Sequence, residues 1–125
     1  MRLVGRVNLD IMKSAGFEPL TDEVVLTDPQ MYHIMERHPE DYERYGENFP
    51  AVLGDPDYIV EANKPYSAVL LREVEVDSAK IKLVLRLKAS TDPEQYQNSI
   101  ITFMHIDERD WNRLIQNKKI LYKRA

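Results

Sequence analysis

The chain has 125 residues, of which 43% are hydrophobic and 30% are charged, and its formal net charge is −4. These values are typical of a soluble globular protein and predict a single domain, residues 1–125, with one core. The chain contains no cysteine, which excludes disulfide bonds, thiolate zinc sites and a cysteine nucleophile.

The sequence also bears on location. No apolar run approaches the ~20 residues that a membrane-spanning helix needs. The first seven residues, MRLVGRV, lack the apolar stretch of a signal peptide. We therefore expect a cytoplasmic protein with no membrane partner.

Charge is distributed unevenly along the chain. Residues 1–62 carry 5 Lys/Arg against 13 Asp/Glu, a net of −8, and residues 63–125 carry 12 against 8, a net of +4. The basic half could provide a local anion-binding surface. Alternatively, the two halves could simply attract each other.

The first half of the chain is predicted to be mainly helical. The expected elements are a strand over Val4–Asn8, a helical turn over Leu9–Gly16, a β-branched run over Glu23–Leu26, a helix from Asp28 to Arg37, and shorter helices over Pro39–Tyr45 and Asn48–Leu53. Asp28 can accept free backbone amides at the start of the longest helix, and Pro29 fits its first turn. Pro39 disfavours helical geometry at His38, so we expect a break there.

The second half is predicted to be mainly extended. Strands are expected over Tyr58–Val60, Ala68–Val76, Lys80–Lys88, Asn98–His105 and Ile120–Tyr122, with a loop over Thr91–Gln97 and a helix that Asp107 caps and that ends near Asn117. Apolar and basic residues alternate over Lys80–Lys88, which predicts one face in the core and one polar face. This order of elements predicts an α+β fold, with helices on one face of a mainly antiparallel sheet.

The segment His33-Ile-Met-Glu-Arg37-His38-Pro39 is the first candidate for chemistry. Histidine can take and give a proton near neutral pH, and an arginine beside two histidines suits metal-free cleavage of a phosphodiester. His33 and His38 are about 140° apart around a helix, which is poor spacing for two metal ligands, so no metal is expected. The alternative is a partly buried His33 and a His38 that interacts with the helix dipole.

Several other polar residues are candidates for binding phosphate. Ser99 and Thr102 interrupt an apolar strand, but at three residues apart they point to opposite faces unless a bulge intervenes. Arg86 could bind a phosphate or could be an ordinary solvated charge. Tyr122 could supply a phenol near the C-terminus or could simply be packed.

Other familiar motifs are missing. The chain has only four glycines and no glycine-rich phosphate loop. It has no serine nucleophile elbow and no RNA-recognition signature of aromatic residues on a sheet. No cofactor is therefore indicated.

The order of motifs nevertheless resembles a known group of proteins. The motifs are Val24-Val-Leu-Thr27, His33-Ile-x-x-Arg37-His38, Asp55-Pro-Asp57-Tyr-Ile59, Asn98-Ser-Ile-Ile-Thr102 and Ile120-Leu-Tyr-Lys123. Together, over residues 20–124, they resemble the phage-associated nuclease domains of the barnase–EndoU–colicin–RelE superfamily. The resemblance implies N-terminal helices packed on a four-stranded antiparallel sheet, and metal-independent cleavage of RNA.

The resemblance and the residues together give one hypothesis for catalysis. His33 would deprotonate a ribose 2′-hydroxyl, and His38 or Tyr122 would protonate the departing 5′-oxygen. Arg37 and Arg86 would bind the phosphate oxygens in the transition state. The expected phosphate- and RNA-binding residues are Arg86, Ser99, Thr102, Lys82 and Lys123.

The expected partners follow from the same hypothesis. RNA, such as tRNA, would be the substrate, and a protein inhibitor or a phage protein could be a further partner. The principal alternative is a non-catalytic phage accessory or protein-binding module with the same fold. A cleft that gathers His33, Arg37 and Ser99 or Thr102 beside the basic strand face would favour the enzyme, and scattered positions would favour the alternative.

Overall fold

The computed structural model of the protein describes all 125 residues. Seven strands are formed, namely β1 (Arg2–Arg6), β2 (Glu23–Leu26), β3 (Tyr58–Glu61), β4 (Ser67–Glu73), β5 (Lys80–Arg86), β6 (Asn98–Ile106) and β7 (Ile120–Lys123). The α-helices are α1 (Leu9–Ser14), α2 (Asp28–Arg37), α3 (Pro39–Tyr45), α4 (Phe49–Gly54) and α5 (Glu108–Asn117). Short 3₁₀ turns cover Gly46–Asn48 and Val76–Ser78. No helix has the length and apolar character needed to cross a lipid bilayer.

The strands form one mixed sheet, and the α+β class is confirmed. Their order across the sheet is β1-β2-β6-β5-β4-β3-β7. All neighbouring pairs are antiparallel except β2 and β6, which are parallel. The expectation of a four-stranded antiparallel sheet was wrong, because the short terminal segments also find partners. The strands β1 and β2 extend one side of the β3–β6 core, and β7 pairs with the other side.

The larger core lies on one face of the sheet. Helices α1 to α4 supply Met12, Ile34, Tyr45 and Phe49 to it, together with other buried residues of α4. The alternating residues of β5 meet them: Ile81, Leu83 and Leu85 are fully buried in this core. The predicted alternation of buried apolar and exposed polar residues along β5 is therefore present. We call the side of the sheet that carries the larger core the helix face.

The opposite face carries a smaller apolar cluster. Trp111 of α5 packs there against Val60, Val69 and Leu71. The expectation that all helices would share one face was therefore wrong. The apolar stripe of α5 needs a surface to cover, and β3 and β4 present outward-facing valine and leucine side chains beside the basic positions of β5. We call this side the α5 face.

The helix boundaries follow from local sequence. Thr27, rather than Asp28, is the N-cap of α2, and its hydroxyl accepts the Gln30 N–H at 3.4 Å. Asp28 instead bonds the N-terminal ammonium at 3.2 Å. As predicted, α2 ends at Arg37, His38 leaves helical geometry, and α3 begins with Pro39 in its first turn.

A β-bulge in β6 decides where two hydroxyls point. Val84 is paired with Thr102, whereas Leu85 is paired with Ile100 and Arg86 with Ser99, so Ile101 is the extra residue. Antiparallel partners share a face. Ser99 and Thr102 therefore both lie on the α5 face, on the same side as Arg86.

The glycine at position 5 allows α4 to approach β1 closely. A Cβ atom at Gly5 would lie 2.9 Å from Leu53 Cδ1 and 3.3 Å from Pro50 Cα. We expect Gly5→Ala to lower the free energy of unfolding by about 1–3 kcal/mol, because the backbone of α4 would have to shift. Urea denaturation measures the change.

The matched control is Gly46→Ala, where the nearest atom to an added Cβ is 4.0 Å away and the backbone is helical. We expect this variant to be neutral or more stable, since alanine restricts the unfolded chain more than glycine does. Equal stability of the two variants would contradict the close packing of α4 on β1.

Candidate functional site

The structure divides the sequence-predicted site residues between the two faces of the sheet. His33 and Arg37 are exposed on α2, and His38 lies between α2 and α3, all on the helix face. The predicted phosphate-binding residues Lys82, Arg86, Ser99 and Thr102 lie on the α5 face. The sheet therefore separates the predicted acid–base residues from most of the predicted phosphate-binding residues. The expected convergence of His33, Arg37 and Ser99 or Thr102 in one cleft was wrong.

The two C-terminal candidates lie apart from both groups. Tyr122 of β7 is half-buried and packs against the larger core, paired with Ile59. Lys123 is paired with Tyr58 and lines a different surface depression together with Trp111. The structure does not bring Tyr122 near His38 or Lys123 near Arg86.

A compact acid–base group is formed on the helix face by His38, Asp41 and His105, which we call the histidine cluster. The Asp41 side chain is 9% exposed, and its Oδ1 lies 2.5 Å from His105 Nδ1. Asp41 Oδ2 also accepts the backbone N–H of His105 at 3.1 Å. His38 Nδ1 lies 4.0 Å from the same Oδ2 atom. One buried carboxylate thus lies between two imidazole rings.

The turn between α2 and α3 creates this arrangement. Pro39 ends α2 and starts α3, so Asp41 falls in the first turn of α3. There it meets the end of β6, where His105 is paired with Ile81 and therefore points to the helix face. The Tyr45 ring, also from α3, packs on the His105 ring with centroids 5.9 Å apart.

The orientation of His105 suits proton transfer. A carboxylate that binds Nδ1 fixes the ring and its tautomer, which leaves Nε2 available. The His105 side chain is 57% exposed, so a substrate can reach that nitrogen. Buried carboxylate and exposed imidazole together form the orienting half of many acid–base sites.

Sequence reasoning missed both His105 and Asp41. From the sequence, His105 is placed only at the end of the predicted strand Asn98–His105, and Asp41 only within the predicted helix Pro39–Tyr45. The two residues are 64 positions apart, and no local spacing connects them. The only available signal was that the protein has three histidines and the third lies near a strand end.

Two arginines lie near the histidine cluster in sequence. Arg37 precedes His38 and is exposed. Arg44 of α3 lies 3.7 Å from Asp77 and is 61% exposed. A hydrogen bond with Tyr45, followed by the charge of Asp77, raises the pKa of Arg44, so it remains a cation. Arg44 is thus paired with Asp77, and Arg37 is the solvent-exposed arginine that adjoins His38 in the chain.

The α5 face holds an open cleft of about 480 Å³, which we call the sheet-face cleft. Its charged lining consists of Lys64, Lys82, Arg86, Lys118 and Glu61. Arg86 is paired with Asp92, and the three lysines against Glu61 still make this a positive region in a chain whose net charge is −4. Such a surface is suited to a polyanion.

Arg86 is held firmly at one end of the sheet-face cleft. Its guanidinium bonds Asp92 at 3.1 Å and also donates to the Leu87 carbonyl. The Ala89 N–H bonds the Asp92 carboxylate, and this bond, together with Arg86, holds the pKa of Asp92 below its ordinary value. Arg86 thus fixes the loop that follows β5.

The comparison with protein families identifies the group to which the chain is related. The model of the family described as phage-Barnase-EndoU-ColicinE5/D-RelE like nuclease2 matches residues 3–123. The chain belongs to this family. No curated protein and no solved structure matches it significantly. The family is phage-associated, and membership indicates that the protein has a nuclease-type function with a nucleic acid as substrate.

The histidine cluster leads to a prediction about stability. Asp41→Asn removes the negative charge and leaves one oxygen to accept from His105, because the NH₂ group can only donate; the bond from a protonated Nδ1 to a carboxylate is therefore lost. We expect the free energy of unfolding to fall by about 1.5–3 kcal/mol, the range for hydrogen bonds to charged groups. Urea denaturation at neutral pH measures it.

The control for this prediction is Glu43→Gln on the same helix, where the side chain is exposed. We expect a change within about 0.5 kcal/mol, as for most surface substitutions. If Asp41→Asn were equally harmless, the bond between Asp41 and His105 would not be formed in solution.

Proposed function

We propose that the protein is a metal-independent endoribonuclease whose acid–base chemistry is performed by the histidine cluster. The observation that carries the proposal is the 2.5 Å contact between buried Asp41 and exposed His105, with His38 on the same carboxylate. Family membership supports the nuclease reaction. The choice of RNA, and of tRNA as one substrate, extends that statement and is part of the proposal.

The choice of His105 departs from the sequence-based hypothesis, which preferred His33 as the base. His33 is exposed on α2, whereas the His105 ring is oriented by a buried carboxylate. A general base must be held within hydrogen-bond reach of the proton that it removes. His38 keeps its predicted role as the acid that protonates the departing 5′-oxygen. Tyr122 is not assigned to that role, because its ring packs on the core at the sheet edge.

The reaction follows from these assignments. Nε2 of His105 takes the proton of a ribose 2′-hydroxyl, whose oxygen attacks the adjacent phosphorus. The bond between phosphorus and the 5′-oxygen breaks, and His38 gives its proton to that oxygen. The products are a 2′,3′-cyclic phosphate and a 5′-hydroxyl.

Arg37 would assist by binding the phosphate oxygens as negative charge accumulates on them. It is the residue next to His38, and its side chain is exposed to solvent. A guanidinium can bind two such oxygens at once, which a lysine cannot do. DNA lacks the 2′-hydroxyl nucleophile and would not be cleaved by this route.

The test is cleavage of bulk tRNA and of a defined single-stranded RNA in the presence of EDTA. We expect wild type to be active, with a bell-shaped pH dependence because two imidazoles of opposite protonation state are required. His105→Ala and His38→Ala should each lower kcat/KM by ~10²–10⁴, the usual contribution of one acid or base. Asn112→Ala, at an exposed position of α5, should retain full activity.

His33→Ala provides a direct comparison with the sequence-based hypothesis. We expect it to lose less activity than His105→Ala. Loss of activity only in His33→Ala, or equal cleavage by wild type and folded His105→Ala, would contradict the assignment to the histidine cluster. Absence of cleavage by the folded wild-type protein on all RNA substrates would contradict the proposed function itself.

A further inference from the structure

We propose that the sheet-face cleft is a separate binding site for single-stranded RNA, in which Tyr66 and Tyr96 stack on unpaired bases. The inference rests on the proposed function for its choice of RNA. It adds a surface on the opposite side of the sheet from the histidine cluster, together with a preference for single strands over duplexes.

The first supporting observation is the charge of the cleft. All four of its lining cations, Lys64, Lys82, Arg86 and Lys118, come from the basic half of the chain. Lys82 and Arg86 are four residues apart on β5, so their side chains point to the same face of the sheet. A line of cations along a groove follows the phosphates of an extended strand.

The second observation is a pair of tyrosines beside Arg86: Tyr96 lines the cleft, and Tyr66 lines the neighbouring depression. The centroids of the Tyr66 and Tyr96 rings lie 5.4 and 5.3 Å from the Arg86 guanidinium carbon. The two residues are nevertheless 50% and 42% exposed. A tyrosine held in place by a cation and open to solvent is a ready surface for a nucleobase.

The backbone holds Tyr66 in an unusual conformation. Its φ is +57°, in the left-handed region that is uncommon for a bulky side chain. Its carbonyl accepts the Leu87 N–H at 2.7 Å, directly beside Arg86. The loop before β4 is thereby tied to the end of β5, and the Tyr66 ring stays beside the guanidinium.

Hydroxyl groups complete the polar surface of this side. Ser67 and Ser99 are the cross-strand partners of Arg86 on its two sides. The bulge at Ile101 turns Thr102 to the same face. These groups can donate hydrogen bonds to phosphate oxygens, in keeping with the phosphate-binding role predicted for Ser99 and Thr102.

The combination favours single strands over duplexes. Bases inside a duplex are already stacked and paired, so exposed tyrosine rings gain nothing from them. In a single strand each base offers a free π-face, while the lysines bind the backbone without regard to sequence. We therefore expect little sequence preference and strong salt dependence.

The test measures binding by fluorescence anisotropy in EDTA with the wild-type protein. The probe is a short fluorescein-labelled oligouridine that is 2′-O-methylated throughout, so that it cannot be cleaved by 2′-hydroxyl attack. A 2′-O-methylated hairpin duplex serves as the competing ligand. We expect the single strand to bind at least tenfold more tightly than the hairpin.

The variants test the tyrosines and the cations separately. Tyr96→Ala and Tyr66→Asn should each weaken single-strand binding by about tenfold and leave hairpin binding unchanged. Asparagine is chosen at position 66 because it tolerates positive φ. Lys82→Ala should weaken binding to both probes and reduce the salt dependence. Tyr32→Ala, at a 66% exposed tyrosine of α2 on the helix face, is the matched control and should bind as wild type does.

Unchanged single-strand binding by both tyrosine variants, or a preference for the hairpin, would overturn this inference. Its failure is distinguishable from that of the proposed function. If RNA is cleaved in a manner that depends on the histidine cluster, but the tyrosine variants bind RNA as wild type does, the enzyme proposal stands and the cleft proposal fails. Tyrosine-dependent binding without any cleavage of ordinary RNA would leave the cleft supported and remove the enzyme.

Discussion

The architecture depends on the buried side chain of Asn98. Its Oδ1 accepts the Lys88 N–H at 2.7 Å, and its Nδ2 donates to the carbonyls of Thr21 and Glu23 at 2.7 and 2.9 Å. The backbone ladder between β2 and β6 has only two paired positions, so this amide supplies much of the connection. It joins the end of β5 to the start of β2. Because α2 follows β2 directly, the position of His38 and Asp41 depends on the same link.

The sheet that Asn98 completes also explains the division of charge. The acidic first half of the chain provides α2 and α3, and with them the carboxylate that orients His105. The basic second half provides all the lining cations of the sheet-face cleft. Their net charges of opposite sign therefore correspond to different surfaces, and not only to mutual attraction between the halves. We propose that RNA contacts both surfaces, one through acid–base groups and the other through cations and aromatic rings.

Local features of the fold could be predicted because local chemistry decides them. The bounds of α3, the end of α2 before Pro39 and the cap of α5 at Asp107 follow from proline geometry and from side-chain bonds to free amides. The alternation in β5 follows from having one buried face. Extended segments near β1, β2 and β7 were also predicted, but their places in the sheet could not be, since these strands are short and pair with partners distant in sequence.

The site could be predicted only in part for the same reason. The motif from His33 to His38 was visible, but its neighbour His105 comes from the far end of β6. The bulge at Ile101, which moves Thr102 to the face of Ser99 and Arg86, depends on the register with β5 and leaves no pattern in the sequence. Alternation alone placed Ser99 and Thr102 on opposite faces, and the extra residue reverses that conclusion.

The central claim is that the histidine cluster drives attack by the ribose 2′-hydroxyl. The most direct measurement uses a short RNA with one 2′-deoxynucleotide at an otherwise cleaved position, incubated with wild-type protein in EDTA and analysed by mass spectrometry. The account predicts that the bond following the deoxynucleotide survives while neighbouring bonds are cut to 2′,3′-cyclic phosphates. Cleavage at the deoxynucleotide, or fragments that end in a 3′-hydroxyl and begin with a 5′-phosphate, would contradict it.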